Sequence, residues 1–437
     1  MNWTKLLSSN RQGQTSVTLE SSRSAFEQDY DRIIFSHPFR RLQDKTQVHP
    51  LPEHDFVHTR LTHSLEVSSV GRSLGKSVGE VILERYPELN KNFSLFDFGA
   101  VVAAASLAHD LGNPPFGHAG EEGLSDFFIG NASYAAVVSE EEWSDLIRFE
   151  GNAQGFRILN QPEYGIKLTC ATLGAFTKYP CPAHFPSRDK VKKSQKKFGF
   201  FQSEKETFAS LANQLELTAV GVGVWFRHPL AFLVEAADDI CYSIIDLEDG
   251  CRLGLVTFDE TVGLLAPILK EKLDRNKLAG NDGLNKKLGT LRAMCIGELI
   301  EACTKIFLEH EKDILNGKFD HALVDLCEFK SALKEISEVS MQRIYRARQV
   351  VEIEAAGHEV LPGLMQEFVR CGKVLRSKEH SRKYNNLALL FPSEISKAIK
   401  ESQSEYLMLR YIIDFISGLT DRHALSLYRK IKGISLS

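Results

Sequence analysis

His109 and Asp110 stand side by side in SLAHDLGNPPFGHAGEEGL, residues 106–124, where a mostly apolar stretch gives way to a Gly/Pro turn. Two further candidate ligands lie far away in the chain, His63 in HTRLTHSLEV and Asp238 in EAADDICYSIIDLEDG. Imidazole mixed with carboxylate suits a divalent ion such as Mg, Mn, Fe, Co or Zn, whereas an all-oxygen cage would suit Ca. A carboxylate left buried and unpaired costs several kcal/mol, roughly, even after relaxation. Asp110, at the end of a buried helix, therefore needs a cation, and either a metal or a salt bridge would supply one. The chemistry this set points to is metal-assisted hydrolysis.

A third histidine, His118, follows the turn, with Glu121 three residues on. That spacing at a helix start lets the carboxylate orient the imidazole, as a general acid or base requires. Pro114, Pro115 and Gly117 would fix the turn that aims His118 back toward the ligands. Asp238, Tyr242 and Asp246 recur every fourth residue and fall along one side of a helix, drifting by roughly 80° from first to last. Such a face can serve a site, with Asp238 on the metal, Tyr242 against a sugar and Asp246 on a sugar hydroxyl. It can equally be an acidic solvated face, because Asp239, Glu248 and Asp249 are close by.

The elements that must hold these residues read as helices. FDFGAVVAAASLAHDL is apolar nearly all round, the mark of a helix buried on most sides. RHPLAFLVEAADDICYSIIDLEDG has Pro229 near its first turn and Gly250 where the helix is expected to stop. EYLMLRYIIDFISGL, residues 405–419, reads as an amphipathic helix. Three stretches break the pattern: residues 131–142 as an irregular insertion, 179–202 with three prolines, and 277–289 as a polar loop. The expected fold class is all-α, one large domain spanning 1–437. The metal-site core covers about 23–250, and a helical C-terminal region covers about 251–437.

Composition narrows the setting. The 437 residues carry a net charge of −4, so the surface as a whole does not favour nucleic acid. Eight scattered cysteines without a CxxC pair suit buried reduced thiols. The most apolar run, residues 99–108, is too short to span a bilayer, and the first residues lack a signal-peptide core, so a cytoplasmic protein without a membrane partner is expected. One local feature runs against the overall charge. Lys190, Lys192, Lys193, Lys196 and Lys197 precede Phe198, Phe200 and Phe201. Basic residues beside aromatics can bind single-stranded nucleic acid, but such a run is more often a solvated loop, and here it could also funnel a polyphosphate.

The longer strings resemble a known family. His63, the His109-Asp110 pair and Asp238 are similar to the ligand pattern of HD-domain metal-dependent phosphohydrolases. RSAFEQDYDRIIFSHPFRRLQDKTQV (23–48), HTRLTHSLEVSSVGRSLG (58–75), HDLGNPPFGHAGEEGL, EGNAQGFRIL (150–159), TLGAFTKYP (172–180) and SGLTDRHALSLYRKI (417–431) narrow the resemblance to deoxyguanosine triphosphate triphosphohydrolases. It covers nearly the whole chain. It implies an all-α enzyme cleaving a deoxynucleoside triphosphate into deoxynucleoside and tripolyphosphate. By motif it implies His63, His109, Asp110 and Asp238 as metal ligands, with His118 and Glu121 as the catalytic pair. Gln47 and Asp246 match positions that read the sugar 3′-OH, and Tyr242 the aromatic that excludes a 2′-OH. Arg60, Asn152, Lys178, Tyr179 and Arg422 match residues near the phosphates. The resemblance further implies a homo-oligomer and a dNTP effector, with Arg40 and Arg41 close enough to Gln47 to bias the site. Two other readings compete: an HD hydrolase of a different nucleotide, and a nucleotide-sensing or single-strand-binding protein with a secondary hydrolase site.

Overall fold

The computed structural model describes residues 1–12, 23–48, 58–189, 191–274, 282–377 and 379–434. Among them helices dominate, and the one sheet is a two-stranded antiparallel ribbon, β1 (Ala219–Gly221) with β2 (Val224–Trp225). The all-α expectation holds. No helix among the described residues is long and apolar enough to cross a membrane.

The helices that place the site begin with α1 (Ala25–Ile34) and α2 (Arg60–Arg85). Ser24 and Glu27 cap α1 reciprocally, and the Thr59 backbone N–H donates to Thr62 Oγ1 at the start of α2. Then α3 (Leu95–Ala108) runs through the centre, and from Phe98 onward nearly every side chain is buried. It crosses α2 at very short range. A Cβ on Gly75 would sit 2.7 Å from the Phe98 carbonyl oxygen, so only hydrogen fits there.

A turn leads from α3 to α4 (Gly117–Ile129). Beyond it come α5 (Gly151–Asn160), α6 (Cys170–Phe176) and the long α7 (Ala231–Arg252). The last of these outruns its expected end. Gly250 lies inside the helix, where a Cβ would stand 2.4 Å from Ile344 Cδ1. That glycine answers a packing need and does not stop the helix. Residues 131–142 are likewise more regular than expected, because Ser139 caps a helix over Glu140–Leu146. Of the stretch 277–289, residues 277–281 lie outside the described residues, and the rest opens α8 (Leu284–Glu309).

The C-terminal region supplies α9 (Arg348–Ser377), α10 (Glu405–Ser417) and α11 (Asp421–Lys432). Two main apolar clusters result. The larger unites α1, α2, α3, α6, α7 and α8, while the second packs α4 against α9, α10 and α11. The eight cysteines are all buried and free, as the absence of CxxC pairs suggested.

Candidate functional site

Three of these helices carry the ligand cluster. His63 sits in the first turn of α2, His109 and Asp110 follow the last turn of α3, and Asp238 lies along α7. Donor atoms of His63, His109 and Asp110 fall within 4.8 Å of one another. Asp238 Oδ1 joins them, 3.3 Å from His63 Nε2 and 3.5 Å from His109 Nε2. The Nδ1–H of His109 donates to the Ser106 carbonyl at 2.7 Å. That bond fixes the tautomer and turns the Nε2 lone pair toward the cluster, the usual arrangement of a metal-ligating imidazole. Two imidazoles and two carboxylates meeting in this way fit a divalent ion.

Charge around the cluster favours ionised carboxylates. Burial alone would raise the carboxyl of Asp110, but His109, Arg60 and His63 together outweigh it. Burial opposes Asp238 in the same way, and His109, the hydrogen bond from His63 and Lys178 hold it far below the usual range. Arg60 Nη1 donates to Asp110 Oδ2 at 2.8 Å and to Gln47 Oε1 at 3.3 Å. The salt bridge and the candidate metal position therefore engage the same carboxylate. Asn113, in the turn after the pair, donates to Asp110 Oδ1.

His118 enters from α4. The turn before it places Phe116 (φ 65°) and Gly117 (φ 59°) in the left-handed region. For a side chain such as Phe116 this costs about 1–2 kcal/mol, so neighbouring structure must impose it. His118 itself is 81% exposed, and its Nδ1–H donates to Glu121 Oε2 at 2.8 Å. The other oxygen of Glu121 accepts from the Gly151 backbone N–H at 2.8 Å. Burial pushes Glu121 up, while the His118 hydrogen bond and Lys197 pull it lower overall, so it stays ionised.

These groups border one cavity of about 470 Å³. His109, Asp110, Asp238 and His118 line it, together with Gln47, Arg60, Asn152, Lys178, Tyr179 and Tyr242. His63 and Glu121 lie behind that lining. Lys178 Nζ stands 3.5 Å from Glu235 Oε1 and 4.0 Å from Asp238 Oδ2, and its neighbours raise its pKa despite burial.

Two expected site residues fall elsewhere. Asp246 does not line the cavity. It is buried and accepts a hydrogen bond from the Tyr345 hydroxyl at 2.7 Å. Arg422 does not line the cavity either; it is exposed on the surface and pairs with Asp44 at 3.0 Å.

The cavity also holds Tyr345, which the sequence did not mark, and Lys197, which it marked only as part of a basic run. Tyr345 stacks on Tyr242, ring centres 5.3 Å apart, just after a π-helical turn at Ser340–Ile344. A π turn of this kind is frequent at functional sites, but no residue pattern announces it. Lys197 turns inward from the basic stretch, 3.3 Å from Glu150 Oε1 and 4.0 Å from Glu121 Oε2. Lys190 lies outside the described residues, and Lys193 pairs with Asp325 at 2.8 Å. Phe198, Phe200 and Phe201 are all buried, so they are core residues and offer no stacking face for a single strand.

Comparison with known proteins places this architecture. Residues 60–149 match the HD domain, and residues 327–430 match the phosphohydrolase-associated domain. The fold is that of an HD phosphohydrolase, a class that works with a metal ion. A deoxyguanosinetriphosphate triphosphohydrolase-like protein of Synechocystis is 42% identical across the full length of both chains. One of Pseudomonas aeruginosa is 38% identical over 100% of this chain and 99% of its own. The deoxyguanosinetriphosphate triphosphohydrolase of Salmonella typhimurium is 31% identical over 94% of each. The chain belongs to this deoxyguanosinetriphosphate triphosphohydrolase-like family.

Proposed function

We propose that the protein hydrolyses dGTP, or deoxynucleoside triphosphates more broadly, to a deoxynucleoside and intact tripolyphosphate. The observation that carries this reading is the joining, in one cavity, of the His/Asp cluster, three cations and a stacked tyrosine pair. Arg60, Lys178 and Lys197 offset the charge of a triphosphate, which otherwise repels a nucleophile. Tyr242 and Tyr345 offer a flat apolar wall to a sugar, where a 2′-OH would crowd the ring. His63, His109, Asp110 and Asp238 would hold a divalent ion, which when bound would supply Lewis-acid chemistry at the phosphates.

The remaining chemistry belongs to His118. With Nδ1 engaged by Glu121, Nε2 is the atom left to move a proton at the attacking water or at the departing 5′-oxygen. Hydrolysis at the α-phosphorus breaks the bond to the 5′-oxygen, which leaves as a hydroxyl. The three phosphates depart together.

The test is incubation with each dNTP, singly and in pairs, with Mg and then Mn, followed by chromatography of the products. Tripolyphosphate with a deoxynucleoside is the expected outcome. Pyrophosphate with a deoxynucleoside monophosphate as the main products would overturn it. The paired incubations also test whether one dNTP stimulates hydrolysis of another, and light scattering tests the homo-oligomer that the family suggests.

A further inference from the structure

Asp421 is the first residue of α11, and an acidic residue there ordinarily faces the free N–H groups of its own helix. Thr420 does that work instead, accepting from the His423 N–H at 3.3 Å. Both oxygens of Asp421 are engaged by distant parts of the chain. Oδ2 accepts from the Thr46 backbone N–H at 3.0 Å and from Thr46 Oγ1 at 2.5 Å, and Oδ1 accepts from the Phe116 N–H at 3.1 Å. The residue is 1% exposed, so these bonds meet no competition from water.

The two segments it grips carry the site. Thr46 precedes Gln47, which lines the cavity and accepts from Arg60. Phe116 is the left-handed residue two positions before His118, and its ring packs into the C-terminal cluster. A second grip runs in the opposite direction. Buried Lys45 donates to the Ser417 carbonyl at 2.8 Å and to the Asn113 carbonyl at 2.5 Å, and Asn113 in turn holds Asp110. The junction between α10 and α11 therefore touches both the ligand turn and the turn that aims His118.

We infer that Asp421 is a positioning residue: it holds the strained Phe116–Gly117 turn and the Thr46–Gln47 strap in the geometry that His118 and Gln47 need. The inference rests on the proposed hydrolase reading for its kinetic consequence, but its structural half stands apart from that reading.

Asp421→Asn is the informative variant, because it keeps the shape while turning an NH₂ toward one of the two N–H donors. Thr420→Ala is the control: it weakens the start of α11 without touching Thr46 or Phe116. For Asp421→Asn the expected result is a kcat at least tenfold lower with metal per chain unchanged, and faster amide exchange in peptides containing Thr46 and Phe116. Exchange over residues 95–108 should stay as in the wild type. Thr420→Ala should lower the thermal midpoint with kcat within twofold of the wild type. An unchanged exchange rate at Phe116 in Asp421→Asn would overturn the inference, and so would an equal loss of kcat in Thr420→Ala. If the unmodified protein releases no tripolyphosphate from any dNTP, the hydrolase reading fails, and the exchange comparison still decides the role of Asp421.

Discussion

The hydroxyl of Tyr345 donates to Asp246 at 2.7 Å, so the carboxylate expected to meet a sugar hydroxyl is held by a tyrosine that lines the cavity. Burial raises the Asp246 carboxyl to about 7, with the Tyr345 bond pulling the other way. Between 3.8 and about 7 the unfolded chain has released a proton that the folded chain retains, so this group lowers stability as pH rises through that window. Tyr345→Phe removes the bond that favours the anion and moves the folded pKa higher still. Its stability deficit should be small at pH 5 and grow above pH 7 to about 1–3 kcal/mol, read from urea denaturation at the two pH values. A deficit independent of pH would show that Asp246 does not ionise there.

The ligands and the proton-transfer pair should separate experimentally. Asp110→Ala removes a metal-ligating carboxylate and leaves Arg60 without its carboxylate partner, so bound metal and activity should fall together. His118→Ala should keep metal and nucleotide while kcat drops by about 10²–10⁴. Metal analysis by atomic emission beside steady-state kinetics distinguishes the two. Equal metal loss in both variants would contradict the separate roles.

Much of this site can be read in the chain because its residue types are out of place. His109 and Asp110 at the end of an apolar helix demand a partner, and the structure brings them together with His63 and Asp238 from helices of mixed polarity. Tyr345 could not be found that way. It lies 99 residues beyond Asp246 after a π turn, in a polar stretch where one more tyrosine carries no signal. Lys197 was visible only as part of a charge run, and nothing in that run distinguishes the lysine that meets Glu121 and Glu150 from its neighbours. Gly250 misled because a glycine at a helix end and a glycine under a crossing side chain look alike until Ile344 is in place.

Lys197 supplies a pH test of the His118–Glu121 pair. Its ammonium stands between Glu121 and Glu150, helping to keep the first ionised against the cost of burial. In Lys197→Ala the Glu121 carboxyl should rise, and the acid limb of the kcat/KM profile should move to higher pH. The variant should therefore lose more activity at pH 6 than at pH 8. A uniform loss across the profile would assign Lys197 to charge neutralisation alone.

His58 makes a prediction about stability rather than turnover. Its Nδ1 lies 2.6 Å from Asp249 Oδ2 and its Nε2 3.1 Å from Glu66 Oε1, which tie the start of α2 to α7. Burial works against the charged ring, but these two carboxylates overcome it and raise the pKa from 6.5 to about 10. A raised histidine contributes in full below its unfolded value and loses that contribution as pH climbs through the folded value. The stability gap between the wild type and His58→Gln should be widest at pH 6 and close steadily toward pH 10. A gap that widens with pH would mean the ring is neutral.

The cavity walls come from Gln47, from the turn after α3, from α7 and from as far along the chain as Glu354. Any fragment that contains them all must span residues 46–354. A nascent chain halted short of residue 354 lacks one wall of the cavity, however well its first helices have packed. On dilution from denaturant, helical circular dichroism should accordingly return before activity does. Turnover would in this sense act as a folding sensor, since it reports the meeting of segments as far apart as Thr46 and Glu354.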